Sequence, residues 1–257
     1  MFKRGLAAKT GFSGLLHLRI TQKLNLKFSA SLMDPETSTL VLDQARKIPI
    51  TDQDVNDAFG LPQGTRLIPT VYTDLSDACT EFSRLASSIS AKGVHSLKAA
   101  KAIVTKQIDE HSTKVETDCF KIAFVVFSVG HVLHPCAKHD YTSVDYWATL
   151  AMPSEINTFN WCRFVRENLI KGVRKIKSDI ASGNNIIHIV GCHLLLQVLA
   201  LDKMELSRRH IAQNILPRVK VFDHLSVKKA IEATSSRCGS DTIFAGIDAS
   251  LNLYEDR

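Results

Sequence analysis

Four side chains able to bind a metal lie within nine residues, as His131-x-x-His134-x-Cys136-x-x-His139, where an apolar run ends. Imidazole nitrogens and a thiolate suit zinc, and a helix end is a place where such groups can converge. This spacing fits no common zinc module, and capping or packing accounts for each residue, so no metal ligand is assigned. Cys192 and His193 are neighbours, but consecutive side chains on a helix diverge by about 100°, so they cannot serve each other as nucleophile and base. Ser236-Arg237-Cys238-Gly239 contains a peptidase-like Cys-Gly, with no His and carboxylate upstream to complete a catalytic set. Gly60-Leu61-Pro62-Gln63-Gly64 follows a helix instead of a strand and lacks the lysine of a phosphate loop, which makes it a helix stop and turn. No catalytic residue, cofactor or small-molecule substrate is expected.

What remains is a charged surface. From Trp161 the residues Val165, Leu169, Gly172, Val173, Ile176 and Ile180 recur at three- and four-residue steps, behind Asn160 as a cap. Arg163, Arg166, Lys171, Arg174, Lys175 and Lys177 fall around the opposite face, relieved mainly by Glu167. Clustered cations of this kind bind phosphates by releasing counterions, so these six are the candidate nucleic-acid contacts. A merely solvated face is the competing reading, since no aromatic platform or DNA-reading module accompanies them.

The elements that must carry these residues are mostly helices. Ser182-Gly183-Asn184-Asn185 ends the basic helix, and Ile186 to Leu201, apolar nearly all round, is expected as a buried helix too short and too interrupted to span a bilayer. Upstream, Thr39 to Leu42 and Lys47 to Ile50 read as a β-hairpin, with Pro49 confining its strand to an edge. Thr51-x-x-Asp54 is a capping box before a helix that Gly60 closes. Further helices are expected from Asp74 to Ser90, after a Ser96 cap, from Cys119 to Leu133 and from Tyr141 to Ala151, with 109–117 as loop. Leu206 to His210 reads as an exposed basic run, Leu216 to Phe222 as extended, and Val227 to Ala233 as short helical material.

The predicted fold is therefore mainly α, a single multi-helix domain with a minor β-hairpin near residues 39–50. A hydrophobic fraction of 45% in 257 residues supplies a full core. Six cysteines, widely spaced and never as C-x-x-C, favour reduced, buried thiols in an intracellular protein. The net charge of +6 is carried by residues 1–33, which hold six Lys and Arg and no acid. Such a start also suits an organelle transit peptide, and residues 1–9 read as a basic extension ahead of a domain over 10–222, with 223–257 as a tail of little regular structure.

Three ordered stretches carry a resemblance: Asp34-Pro35-Glu36-Thr37 with Ile48 to Val55 and Phe59 to Gly64; Phe124-Val125-Val126-Phe127 with Leu133-His134-Pro135; and Phe159-Asn160-Trp161 with Phe164-Val165, Gly191 to Gln197 and Leu201-Asp202. Together, from about Thr10 to about Phe222, the chain resembles the plant mobile domain, also labelled aminotransferase-like, a family spread through plant transposable elements. Relatives tend to carry Cys-Pro where this chain has His134-Pro135. The resemblance implies a helical, nuclear, non-enzymatic protein working through protein or nucleic-acid contacts in transposon silencing or genome maintenance. Alternatively, it implies an accessory domain of an element-encoded SUMO-protease-like cysteine peptidase. It brings no catalytic residues, and no lysine in a glycine-rich setting supports a pyridoxal-phosphate enzyme.

Overall fold

The structure, a computed structural model, describes residues 1–19, 26–42, 45–69, 76–184, 190–203, 212 and 214–222, leaving aside the side chains of 26–28. The fold is mainly α and forms one domain. Its described helices are α1 (Phe2–Thr10), α2 (Leu26–Ser31), α3 (Asp52–Phe59), α4 (Asp77–Ile89), α5 (Leu97–Thr105), α6 (Lys114–Ser128), α7 (Trp161–Ala181) and α8 (His193–Lys203). The expected hairpin is present and gains a third strand. β1 (Met33–Asp34), β2 (Thr39–Val41) and β3 (Lys47–Pro49) pair antiparallel in that order, with Leu40 opposite both Met33 and Ile48. Pro49 lies on an edge strand, where its missing N–H leaves no gap in the ladder.

Local chemistry sets most helix starts. Thr51 accepts from the Asp54 N–H while the Asp54 carboxylate accepts from the Thr51 N–H, which closes the expected capping box. Ser76, Ser96 and Asn160 cap α4, α5 and α7 through their side-chain oxygens.

The helix expected from Cys119 begins earlier, and the loop expected over 109–117 is corrected accordingly. Thr113 and Glu116 form a second capping box that starts α6 at Lys114. The T-x-x-E pattern was there to be read, but the polar first turn hid it, because apolar periodicity begins only where the helix enters the core. Thr113→Ala is expected to cost about 1 kcal/mol, read as a lowered urea midpoint at unchanged slope. From Asp118 to Val126, α6 is buried on every side, with α5, α4 and α1 packed against it. Asp118 and Lys121 are tolerated there as a pair 2.6 Å apart, which Lys114 joins at 2.8 Å.

Residues 1–9 are no extension, which corrects the expected boundary. They form α1, whose Leu6, Ala7 and Thr10 are buried, and Phe12 and Leu15 follow them into the core. Of the leader expected over residues 1–33, Phe12, Leu15, Leu32 and Met33 are buried in the core.

The buried helix expected from Ile186 begins only at His193. Residues 185–189 lie outside the described residues, and Gly191 takes a left-handed φ of +82°, which a helix cannot contain. The 190–191 backbone passes directly over α7 at Gly172, where an added Cβ would stand 2.0 Å from the Val190 carbonyl oxygen. Alanine is the better helix former by about 1 kcal/mol, yet Gly172→Ala is expected to destabilise by about 2 kcal/mol, because backbone must move to admit it. A raised thermal midpoint in that variant would contradict the crossing.

Three further expectations are corrected. Tyr141 to Ala151 holds only one short 3-10 turn, Trp147–Leu150. Leu216 to Phe222 is not extended: a cis Leu216–Pro217 bond leads into a 3-10 turn, Arg218–Lys220. Ile180, placed on the buried face, is 42% exposed in the last turn of α7. No described helix is long and apolar enough to cross a membrane. The expectations for Leu206 to His210, for Val227 to Ala233 and for the tail over 223–257 fall outside the described residues.

Candidate nucleic-acid interface

The basic face of α7 exists, but most of its charge is already engaged. Arg166 donates from Nε to the Asp52 carboxylate at 2.7 Å, and Asn160 donates to the other Asp52 oxygen at 3.0 Å. Asp52 opens α3, where the helix dipole favours an anion, so α7 and α3 are clamped through one carboxylate. Arg174 reaches Glu36 at 3.1 Å and the Pro35 carbonyl at 3.0 Å, fastening α7 to the turn between β1 and β2. Arg163 pairs with Glu167 at 2.8 Å and Lys175 with Asp179 at 3.4 Å along the helix itself. Lys171 and Lys177 are exposed and have no ion-pair partner among the described residues. Sequence reasoning could not foresee the clamps, since Asp52 and Glu36 lie more than a hundred positions from their partners.

The four residues of the H-x-x-H-x-C-x-x-H stretch are drawn to different neighbours. A π-helical turn, Val129–Leu133, ends the α6 rod. There His131 lies against the Phe127 ring and meets the Phe127 carbonyl through Nδ1 at 3.0 Å. His134 turns inward edge-on to Phe164, Cys136 donates to the Tyr141 carbonyl at 3.1 Å, and His139 is exposed. Among the described residues no group of three His, Cys, Asp or Glu is placed to hold a metal ion.

This stretch builds a surface instead. Its chain runs on to Asp140, whose carboxylate accepts from the Lys98 N–H at 2.6 Å and from Ser96 at 3.0 Å, pinning the loop to the start of α5. His95 and Thr142 are tied twice, through the Thr142 N–H to the His95 carbonyl and through His95 Nδ1 to the Thr142 carbonyl, both at 2.9 Å. The His95 and Tyr141 rings are stacked, with centroids 4.7 Å apart and planes within 5°. Lys92 donates to the His139 carbonyl and Lys138 lies over the Tyr141 ring, while Lys98 and Lys101 follow along α5; all four are exposed and none is ion-paired among the described residues. Two acids lie on this loop, Asp140, which is occupied by α5, and exposed Asp145.

The nucleophile candidates are internal. Cys192 is wholly buried, and burial pushes its thiol up to about 12. Cys162 is likewise pushed up to about 12 by burial, and it donates to the Leu61 carbonyl at 3.2 Å. His193 is 1% exposed, and burial pulls its imidazole down to about 4. Cys79 and Cys119 are also buried and Cys136 is half-buried, and all five described cysteines are free thiols. Cys238 falls outside the described residues.

Residues 2–197 match a family described as a domain of unknown function, DUF8566. The chain belongs to this family. The DUF8566 match takes in α1 through α7 and the first turn of α8, so both the α7 face and the lysine-rimmed stack lie inside it, whereas Cys238 does not. No curated protein and no solved structure matches the chain.

Proposed function

We propose that this DUF8566 protein is a non-enzymatic, nuclear, transposable-element-related protein that acts by contacting nucleic acid, in transposon silencing or genome maintenance. The biological setting rests on the resemblance to the plant mobile domain. The contact rests on one observation, the way the fold gathers acid-free chain. Residues 1–33, 82–108 and 119–139 together hold thirteen of the 32 Lys and Arg and none of the 26 Asp and Glu. These stretches supply α1, α5 and most of α6, which pack on one another, and Lys3 of α1 donates to the Val104 carbonyl of α5 at 2.9 Å. Lys121 is spent on Asp118 and Arg84 on Glu81, and the surplus of cations that the other residues of these stretches bring is the electrostatic footprint of a polyanion binder.

The test is binding of the purified chain to generic single- and double-stranded DNA as salt is raised. Binding at low salt that weakens steadily supports the reading. A folded chain that binds neither at low salt removes it, and a scaffold for protein partners then takes its place. Nuclear placement is tested by microscopy of the tagged chain in plant cells, where an organellar signal would overturn it.

A further inference from the structure

We infer that the stacked His95–Tyr141 pair and its rim of Lys92, Lys98, Lys101 and Lys138 form a single-strand nucleic-acid site, in which a base stacks on Tyr141 and the lysines hold the flanking phosphates. The inference rests on the nucleic-acid reading above and adds the place and the strandedness.

Three features of the surface carry it. Sequence-tolerant single-strand sites combine an aromatic face with a cationic track, and here Lys138 lies over the Tyr141 ring and Lys92 on the His139 carbonyl, with exposed Lys98 and Lys101 on the adjoining α5, none of the four ion-paired among the described residues. The platform is also rigid. His95 is fixed through its own carbonyl and its Nδ1 to Thr142, and Asp140 anchors the residue next to Tyr141 on α5, so little ordering remains to be done on binding. Finally, the ring face is held by a side chain that can leave. The Lys138 ammonium sits 4.7 Å from the Tyr141 centroid, on an exposed, flexible stem. An exposed cation–π contact is weaker than base stacking on an aromatic ring, so a base can displace Lys138, and the released ammonium is then free for a neighbouring phosphate. Bases within a duplex are already stacked and cannot offer a face to Tyr141, which sets the preference for single strands.

The α7 face fits this partner less well. Arg163, Arg166, Arg174 and Lys175 would have to give up carboxylates they already hold.

The experiment uses the full chain with labelled oligothymidylate and oligouridylate of about ten nucleotides, and with a duplex of the same length, at low salt. A Lys92→Gln, Lys98→Gln, Lys138→Gln variant is expected to lose roughly tenfold or more in affinity for the single strands. Tyr141→Leu is expected to lose roughly tenfold, with Tyr141→Phe close to wild type, because stacking needs the ring and not the hydroxyl. Thermal melting of each variant separates loss of binding from loss of fold, and the lysine variant, altered only at exposed positions, keeps the test decisive if Tyr141→Leu misfolds. Equal response of thymidylate and uridylate makes the site indifferent to the 2′-hydroxyl; a difference assigns it to one of them. Wild-type binding that survives the lysine variant but falls in Lys171→Gln, Lys177→Gln overturns the site while the broader reading stands. Equal binding of polyglutamate, insensitive to Tyr141→Leu, overturns it in favour of an acidic protein. Failure of the wild type to bind any nucleic acid overturns both.

Discussion

Trp161→Ala is expected to remove about 4 kcal/mol of stability, a large share of the roughly 5–15 kcal/mol that a domain has. Trp161 is fully buried at the first turn of α7. Its ring meets Phe12 edge-on at 4.9 Å and packs against Tyr146 and Phe164, each at 5.7 Å. Its indole N–H donates to the Ile156 carbonyl at 2.8 Å. One side chain therefore joins the chain after α1, the segment before α7 and α7 itself. Truncation opens a cavity among all three and strands a buried carbonyl, two separate costs. Trp161→Phe keeps most of the packing and loses the hydrogen bond, so its loss should be nearer 1–2 kcal/mol. Urea unfolding measures both, and an alanine variant within 1 kcal/mol of wild type would contradict the packing described.

Acidification is expected to unfold the domain largely through His193. Its ring is buried in α8, with Nε2 3.1 Å from the Val190 carbonyl and Nδ1 without a partner among the described residues, and burial lowers the folded-state value to about 4. An unfolded chain takes up the proton near 6.5. Between those values the unfolded state binds more protons, so stability is full above about pH 6.5 and falls as pH drops toward 4. The gap corresponds to roughly 3 kcal/mol. His134, which burial also holds below the usual imidazole range, adds in the same direction. His193→Gln should flatten the decline measured by denaturant titration at stepped pH, even if it lowers the plateau. An unchanged slope in that variant would place the acid sensitivity elsewhere.

What could be read from the sequence divides along a physical line. Caps and periodicity are local, and the Thr51, Ser96 and Asn160 caps, the hairpin and the apolar face of α7 up to Ile176 are present as the residues implied. The start of α6 was equally local and was missed because its first turn is polar. The late start of α8 was not legible. Ile186 to Leu201 is apolar nearly all round, and it is the left-handed Gly191 and the passage of backbone over Gly172 that show residues 190–192 outside the helix.

The pairing of the charged surface was not legible for the same reason. A helical projection places Arg166 and Arg174 on one face, but it cannot see that Asp52 and Glu36 come from other elements to meet them. It also cannot bring His95 to Tyr141, 46 positions away. The metal-like spacing of 131–139 gathers no metal-holding group among the described residues. Its value lies in the loop it forms against α5.

The most direct test of nucleic-acid contact is the slope of the logarithm of the single-strand association constant against the logarithm of salt concentration. Four lysines on phosphates predict a slope of about −3, falling toward −1 when Lys92, Lys98 and Lys138 are changed to Gln. A slope near zero in the wild-type chain, or binding that salt does not weaken, would contradict the account.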